Sequence, residues 1–198
     1  MKRSAVALVV LLPLLAAIPP VDKERAFGNP SAPVRIEVFS DFSCPHCKVL
    51  HETMMPQMMR EYISTNKVYL IDRAFPLGGQ QHPFSREAAS YAIAAGKIGK
   101  YNAVADALFA QQAVWATNGN VWGAVSSALS PTEQKRVQEL AKDPAIAATI
   151  EAEYQEGMAA GVNSTPTLVV TAGGKRTSLP SAPDYRLLKS MIDAYIPK

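Results

Sequence analysis

The sequence predicts one α/β domain, covering about residues 34–198, with a long helical insertion between its two halves. Two observations support this prediction: a strand–helix–strand order in the first half, and a strand pair followed by a helix in the second. The residues between them, about 85–161, have helical patterning throughout. Hydrophobic residues make up 48% of the 198-residue chain, which is enough to form a core without covalent cross-links.

The first half is predicted from residue type and periodicity. Residues 34–39 alternate in part and are rich in β-branched side chains, which is typical of a strand. Apolar residues then recur at helical spacing to about residue 64, and we expect Pro56 to kink this helix because it lacks a backbone N–H. Residues 67–75 are predicted to form the second strand.

The second half contains clear capping and turn signals. Ser130-Pro131-Thr132-Glu133 has the pattern of a capping box with proline at the first helical position. Trp115 and Trp122 are expected to pack inside the insertion. The predicted elements from residue 85 on are, in order, helices over about 87–95 and 101–115, a helix that starts at Pro131, a helix over about 144–160, strands over 167–171 and 176–179 around a glycine turn, and a final helix from about 184.

The N-terminus has the pattern of an export signal. Basic Lys2 and Arg3 precede an apolar run that ends near residue 18, and the run is shorter than the roughly 20 residues that span a bilayer. We expect residues 1–18 to be a signal peptide, cleaved after Ala17, or a membrane anchor if they are retained. Residues 19–33 are expected to form an N-terminal strap. The predicted location is periplasmic or otherwise extracytoplasmic.

The charge pattern argues against nucleic-acid binding. The formal net charge is +3, and without Lys2 and Arg3 the chain has 18 basic and 17 acidic residues. No basic run is present, so the electrostatic signature of a nucleic-acid-binding protein is missing from the sequence.

Two cysteines, Cys44 and Cys47, are the strongest chemical signal in the sequence. A bridge across two residues closes too small a loop to stabilise a fold much, so the pair is placed for chemistry. Cys44 begins a helix with Pro45 in the first turn, where the helix dipole favours a thiolate, and a protonated His46 adds to this effect. Cys47 lies one turn further on the same face. We therefore predict a redox pair in which a stabilised Cys44 thiolate makes the disulfide oxidising.

A Cys-x-x-Cys motif also occurs in metal and haem sites, which are the alternative interpretation. Zinc needs about four ligands, and the sequence offers only His46, His51 and His82 in addition to the two cysteines. A c-type haem site requires histidine directly after the second cysteine, where Lys48 stands instead. We therefore predict no metal and no bound cofactor.

The sequence from 42 to 48, Phe-Ser-Cys-Pro-His-Cys-Lys, resembles the DsbA-like branch of the thioredoxin superfamily. Pro56 within the following helix, the segment 161–167 with Thr165 and Pro166, and Phe75-Pro76-Leu77 are similar to that branch as well. The resemblance spans about residues 34–196. It implies a thioredoxin-like fold in which a cis bond at Pro166 places the Thr165 backbone beside the disulfide, where it pairs with an extended substrate.

The resemblance implies an exported dithiol oxidase. Its substrates are reduced exported proteins, and a membrane reoxidase of the DsbB or vitamin-K-epoxide-reductase (VKOR) type restores the disulfide. We expect a monomer. In many relatives an acid six residues before the first cysteine assists proton transfer, but this chain has Val38 there, while Glu37 faces the other side of the strand and Asp41 lies in the turn.

Other functions remain open from the sequence alone. A reductase or isomerase of the same fold uses the same two cysteines. A threonine at the position of Thr165 occurs in both oxidase-like and isomerase-like members of the branch, so it does not decide between them. A chaperone or binding module with incidental cysteines is a non-enzymatic alternative, and a metallochaperone is a weaker one.

Overall fold

The structure is a computed structural model, and it describes residues 22–196. The predicted signal peptide, residues 1–18, lies outside the described residues. Within residues 22–196, no helix has the length and apolar character needed to cross a membrane.

A five-stranded mixed sheet forms the centre of the molecule, in the order β1-β3-β2-β4-β5. The pair β2–β3 is parallel and the other neighbours are antiparallel. This arrangement confirms the predicted thioredoxin-like α/β class. The strands are β1 Ala26–Phe27, β2 Val34–Ser40, β3 Val68–Ala74, β4 Thr167–Ala172 and β5 Lys175–Pro180.

The predicted strap takes part in the sheet, which the sequence does not indicate. A 3₁₀ turn at Lys23–Arg25 leads into β1, which pairs antiparallel with β3. Arg25 is buried, and its guanidinium donates two hydrogen bonds of 2.8 Å to the carboxylate of Glu153 in the insertion. Strand pairing therefore attaches the strap to the sheet, and a buried ion pair attaches it to the helical insertion.

The helix that begins at Pro45, here called the active-site helix, covers residues 45–63. It alternates α-helical segments, Pro45–Val49 and Met55–Met58, with π-helical segments, Leu50–Met54 and Met59–Ile63. Pro56 has no N–H to donate, and the hydrogen-bonding pattern widens to π turns on both sides of it. Pro56 thus coincides with a change of helix type, and the expected kink stays a prediction.

The helices cover both faces of the sheet. The active-site helix and the C-terminal helix Tyr185–Asp193 pack on one face through buried side chains such as Leu50, Met58 and Leu188. On the other face, Tyr154 stacks on Phe75 with ring centroids 4.6 Å apart. Each face therefore has its own apolar cluster.

The insertion is divided more finely than the pattern predicts. The stripe over 101–115 belongs to two helices that break at Gln111, not to one. Trp115 is fully buried in a separate apolar cluster, and Trp122 packs against its edge, so the insertion has a core of its own. Its helices are Ser85–Gly96, Tyr101–Ala110, Gln112–Asn118, Val121–Ser126, Pro131–Leu140 and Pro144–Ala159.

The hairpin of β4 and β5 closes the sheet on one side. Gly173 and Gly174 form its turn with φ of 53° and 73°, a left-handed conformation that glycine adopts at little cost. The turn matches the prediction, and β5 becomes an edge strand of the sheet.

Candidate active site

Cys44 lies at the junction between β2 and the active-site helix. It is the N-cap residue, with extended backbone dihedrals, and Pro45 occupies the first turn. Proline is tolerated there because the first N–H groups of a helix have no partner inside the helix. The Cys44 side chain is 5% exposed, so its sulfur can be reached from solvent only through a small opening.

Cys47 lies one turn further along and is fully buried. Both cysteines are free thiols in the structure. The Asp41 backbone N–H lies 3.5 Å from Cys47 Sγ. One sulfur is thus accessible and the other is hidden beneath it.

The two thiols have opposite acidities. The pKa of Cys44 falls to about 5, first because Cys47 donates a hydrogen bond to its thiolate. The Thr165 side chain and the backbone N–H groups of Cys47 and His46 lower it further, while burial opposes the shift. The pKa of Cys47 rises well above its ordinary value because burial and the neighbouring Cys44 charge disfavour a second thiolate. Near neutral pH, Cys44 is therefore the nucleophile and leaving group, and Cys47 holds a proton.

We expect the reduced protein to show a thiolate absorbance at 240 nm that titrates with a midpoint near 5. The pKa of Cys44 in the folded protein lies below the ordinary thiol value of 9.0. The thiolate therefore adds stability that is fully present above about pH 9 and is lost as the pH falls through about 5. The free energy of unfolding of the reduced protein should rise across that window relative to Cys44→Ser. A midpoint above 8 contradicts the assignment.

A loop from the second half faces Cys44. The Thr165–Pro166 peptide bond is cis, and Cys44 Sγ lies 3.2 Å from the Thr165 carbonyl oxygen. The Ser181 N–H donates to the Pro166 carbonyl oxygen at 2.9 Å, which ties the loop to the end of β5. The backbone of Thr165 is therefore held against the reactive sulfur.

A groove runs beside this loop. It has a volume of about 260 Å³, and both His46 and Pro166 line it. His46 is exposed, while Val49 is 57% exposed and presents an apolar surface at the groove. Met54 is buried in the core and lines the groove at the same time.

Side chains of the insertion contact the turn between β2 and the active-site helix. The Gln112 side-chain amide donates to the carbonyl oxygens of Phe42 at 2.6 Å and of Cys44 at 3.0 Å. The Phe109 ring packs on Phe42 and His51 at centroid distances of 4.9 and 4.7 Å. Gln112 is a positioning residue that the sequence does not reveal, since a glutamine within a helix carries no distinctive signal.

Asp41 organises the loop that precedes Cys44. It is buried and accepts hydrogen bonds from four donors, so both carboxylate oxygens are occupied. His82 is one of them, with its ring Nδ1 2.8 Å from Asp41 Oδ2. The donors are the N–H groups of Ser43 and Leu77, the Ser85 hydroxyl and the His82 ring.

The structure brings all the predicted site residues to one end of the sheet: Cys44, Pro45, His46, Cys47, Thr165 and Pro166. Across residues 22–196, no group of three or more His, Cys, Asp or Glu side chains is arranged to hold a metal ion.

This geometry defines a class of protein: a thioredoxin-fold dithiol protein, with a Cys-x-x-Cys pair at the start of a helix and a cis-proline loop facing it. The chain belongs to the thioredoxin family, because a family profile described as Thioredoxin matches residues 21–194.

Solved structures support the fold and the DsbA-like branch. BdbD from Bacillus subtilis superposes with a TM-score of 0.70 at 23% identity, covering 89% of this chain and 95% of that one. DsbA2 from Pseudomonas aeruginosa has a TM-score of 0.65 at 27% identity and covers 85% of this chain and 92% of that one.

A curated relative from Rickettsia prowazekii is named for protein-disulfide oxidoreductase activity. It is 30% identical over 95 residues, which is 48% of this chain. The matched segment spans only 34% of that protein, about a third of its length.

Proposed function

We propose that this chain is a thiol:disulfide oxidoreductase that works as a dithiol oxidase. The observation that carries the proposal is the opposite acidity of the two thiols, with a Cys44 pKa of about 5 above a buried Cys47 of raised pKa. A stable Cys44 thiolate stabilises the reduced pair, and this makes the disulfide a stronger oxidant.

The proposed reaction has two exchange steps. A substrate thiolate attacks Cys44 Sγ, the bond between Cys44 and Cys47 breaks, and Cys47 leaves with the electron pair and takes up a proton. A second substrate thiolate then attacks the substrate sulfur of the mixed disulfide and expels Cys44 as a thiolate. The substrate gains one disulfide, and the protein is left with two reduced thiols.

The surroundings of Cys44 suit an extended polypeptide as the substrate. The Thr165 backbone beside the sulfur can pair with an extended segment, and the groove lined by Val49 and Pro166 offers apolar surface. His46, exposed next to Cys44, is proposed to favour the thiolate when it is protonated.

We propose that the substrates are reduced exported proteins, reached through a signal peptide in residues 1–18, and that the protein works outside the cytoplasm as a monomer. Its own reoxidation requires an electron acceptor, proposed to be a membrane protein of the DsbB or VKOR-like type. These assignments rest on the family resemblance and on the oxidising character expected of the pair.

The reduction potential of the Cys44–Cys47 pair tests the proposed direction. We expect equilibration with glutathione buffers to give a value less negative than about −200 mV, more oxidising than the glutathione pools of most compartments. A value well below that range makes the protein a reductase. Disulfide isomerisation without net oxidation in scrambled substrates makes it an isomerase.

A further inference from the structure

A small cavity lies directly behind the active site. It is enclosed by the active-site helix, β3 and the insertion, and its lining includes Cys47, His51, Asp72 and Tyr101. Its volume of about 30 Å³ gives room for one or two water molecules. The buried thiol and a carboxyl group thus line the same cavity.

Asp72 follows four apolar or aromatic residues in β3 and stands next to Arg73, whose side chain pairs with Glu37 and Glu153. Asp72 is the register partner of Val38 in the parallel pair β2–β3, and paired residues of neighbouring strands point to the same face of a sheet. Val38 lines the same cavity and belongs to the core under the active-site helix. The sheet therefore directs the Asp72 carboxyl toward the helix that carries Cys47.

Several charged groups face Asp72 from the surrounding elements. Burial is the main reason why the pKa of Asp72 rises to about 6, and the negative charge of Glu153 also raises it. His51, Arg25 and a hydrogen bond from Tyr101 lower it. A carboxyl group with such a pKa can both accept and release a proton near neutral pH. His51 is partly exposed and bonds to Asp106 at 2.7 Å, so it connects the cavity to the surface.

We propose that Asp72 is the proton-transfer group for Cys47, acting through the cavity during disulfide exchange. This inference rests on the proposed function. When a thiolate attacks Cys44, Cys47 leaves and receives a proton from the Asp72 carboxylic acid. In the reverse direction, the Asp72 carboxylate takes the proton of the Cys47 thiol. The new Cys47 thiolate then attacks Cys44 Sγ in the mixed disulfide and expels the substrate sulfur as a thiolate.

The raised pKa of Cys47 makes such a group necessary. A buried thiol that holds its proton is a poor nucleophile, and its bare thiolate is a poor leaving group. Asp41 is nearer along the chain, but its two carboxylate oxygens already accept bonds from Ser43, Leu77, Ser85 and His82. Asp72 lines the space behind Cys47 and is the group placed to move the proton.

The reaction of the reduced protein with oxidised glutathione allows the step that depends on Cys47 to be measured apart from the step that depends on Cys44 alone. First the Cys44 thiolate attacks glutathione disulfide, and this step does not need Cys47. Then Cys47 attacks Cys44 and releases the second glutathione. Acid quenching and mass spectrometry measure both steps. In Asp72→Asn we expect the first rate to stay within about twofold and the second to fall roughly a hundredfold at pH 7, so that mixed disulfide accumulates.

The pH profile gives an independent readout in the unaltered protein. The second step should accelerate through about pH 6, and Asp72→Asn should abolish this inflection. A wild-type profile without an inflection near pH 6 overturns the inference even if Asp72→Asn does not fold. An inflection that persists in Asp72→Asn and disappears in His51→Asn overturns it as well.

Glu87→Gln is the matched control. Burial also raises the pKa of Glu87, but this carboxyl lines a different cavity beside Tyr91, so both steps should keep their wild-type rates. If the first step is missing in the wild-type protein, the proposed function fails. If the first step is present and the second is unchanged in Asp72→Asn, only the role of Asp72 fails.

Discussion

Cys44→Ser is expected to reduce the rate of disulfide formation in a reduced substrate protein at least about a thousandfold, because it removes the group that every exchange step attacks or expels. A serine hydroxyl cannot form a disulfide. The measurement is the initial rate of thiol loss from a reduced, unfolded substrate, with the protein supplied in its oxidised form or in a glutathione buffer.

Cys47→Ser provides the contrast. Cys44 keeps its place at the helix start, so it should still attack disulfides and then remain as a stable mixed disulfide. Ser64→Ala, at the far end of the same helix, alters a hydroxyl that bonds only to the Arg60 carbonyl oxygen and should leave the rate unchanged. Thiol oxidation that survives in Cys44→Ser would make the protein a binding module or chaperone.

Glu153→Gln is expected to cost about 3–5 kcal/mol of the free energy of unfolding, because it leaves two buried guanidinium groups without their shared counter-charge. Glu153 is 2% exposed and bonds to Arg25, to Arg73 at 3.3 Å and to the Ala74 N–H at 2.8 Å. Burial opposes the Arg25 charge, yet the Glu153 carboxylate more than offsets it and holds the pKa of Arg25 above its ordinary value.

Thermal unfolding followed by circular dichroism measures this effect. A loss of that size lowers the midpoint by roughly 6–20 °C for a domain of 150–250 residues. Glu151→Gln, on the same helix, alters an exposed pair with Arg86 at 3.1 Å and an exposed hydrogen bond from Gln155 at 2.9 Å, and it should cost less than about 1 kcal/mol. Equal midpoints for the two variants would show that the buried network adds little to stability.

The sequence predicts those elements of the fold whose residues repeat with a clear period. The strands at Val34–Ser40 and Val68–Ala74 and the hairpin after Thr167 lie within one or two residues of the predicted positions. Ala26–Phe27 is missed because two residues have no period, and its place in the sheet depends on a partner strand more than 40 residues away. The break at Gln111 is missed because no glycine or proline marks it.

The site is predicted where chemistry depends on neighbours in sequence. Cys44 to Cys47 is one local motif, whereas Gln112 and Glu153 reach their partners only after the insertion has folded over the sheet. Glu37 bonds to Arg35 on its own strand and also to Arg73 and Arg176 from two other strands, which no local pattern indicates. Asp72 had one available signal, a carboxylate directly after the apolar part of a predicted strand.

The two edges of the sheet are protected against aggregation with other polypeptides. An unpaired strand edge invites other polypeptides to add strands and aggregate, and natural proteins guard it with short strands, charges and proline. In the sheet formed by residues 26–180, one edge is the two-residue β1, and the other carries Lys175, Arg176 and Pro180. Both edges of this sheet thus carry features that discourage a bound, unfolded polypeptide from adding further strands.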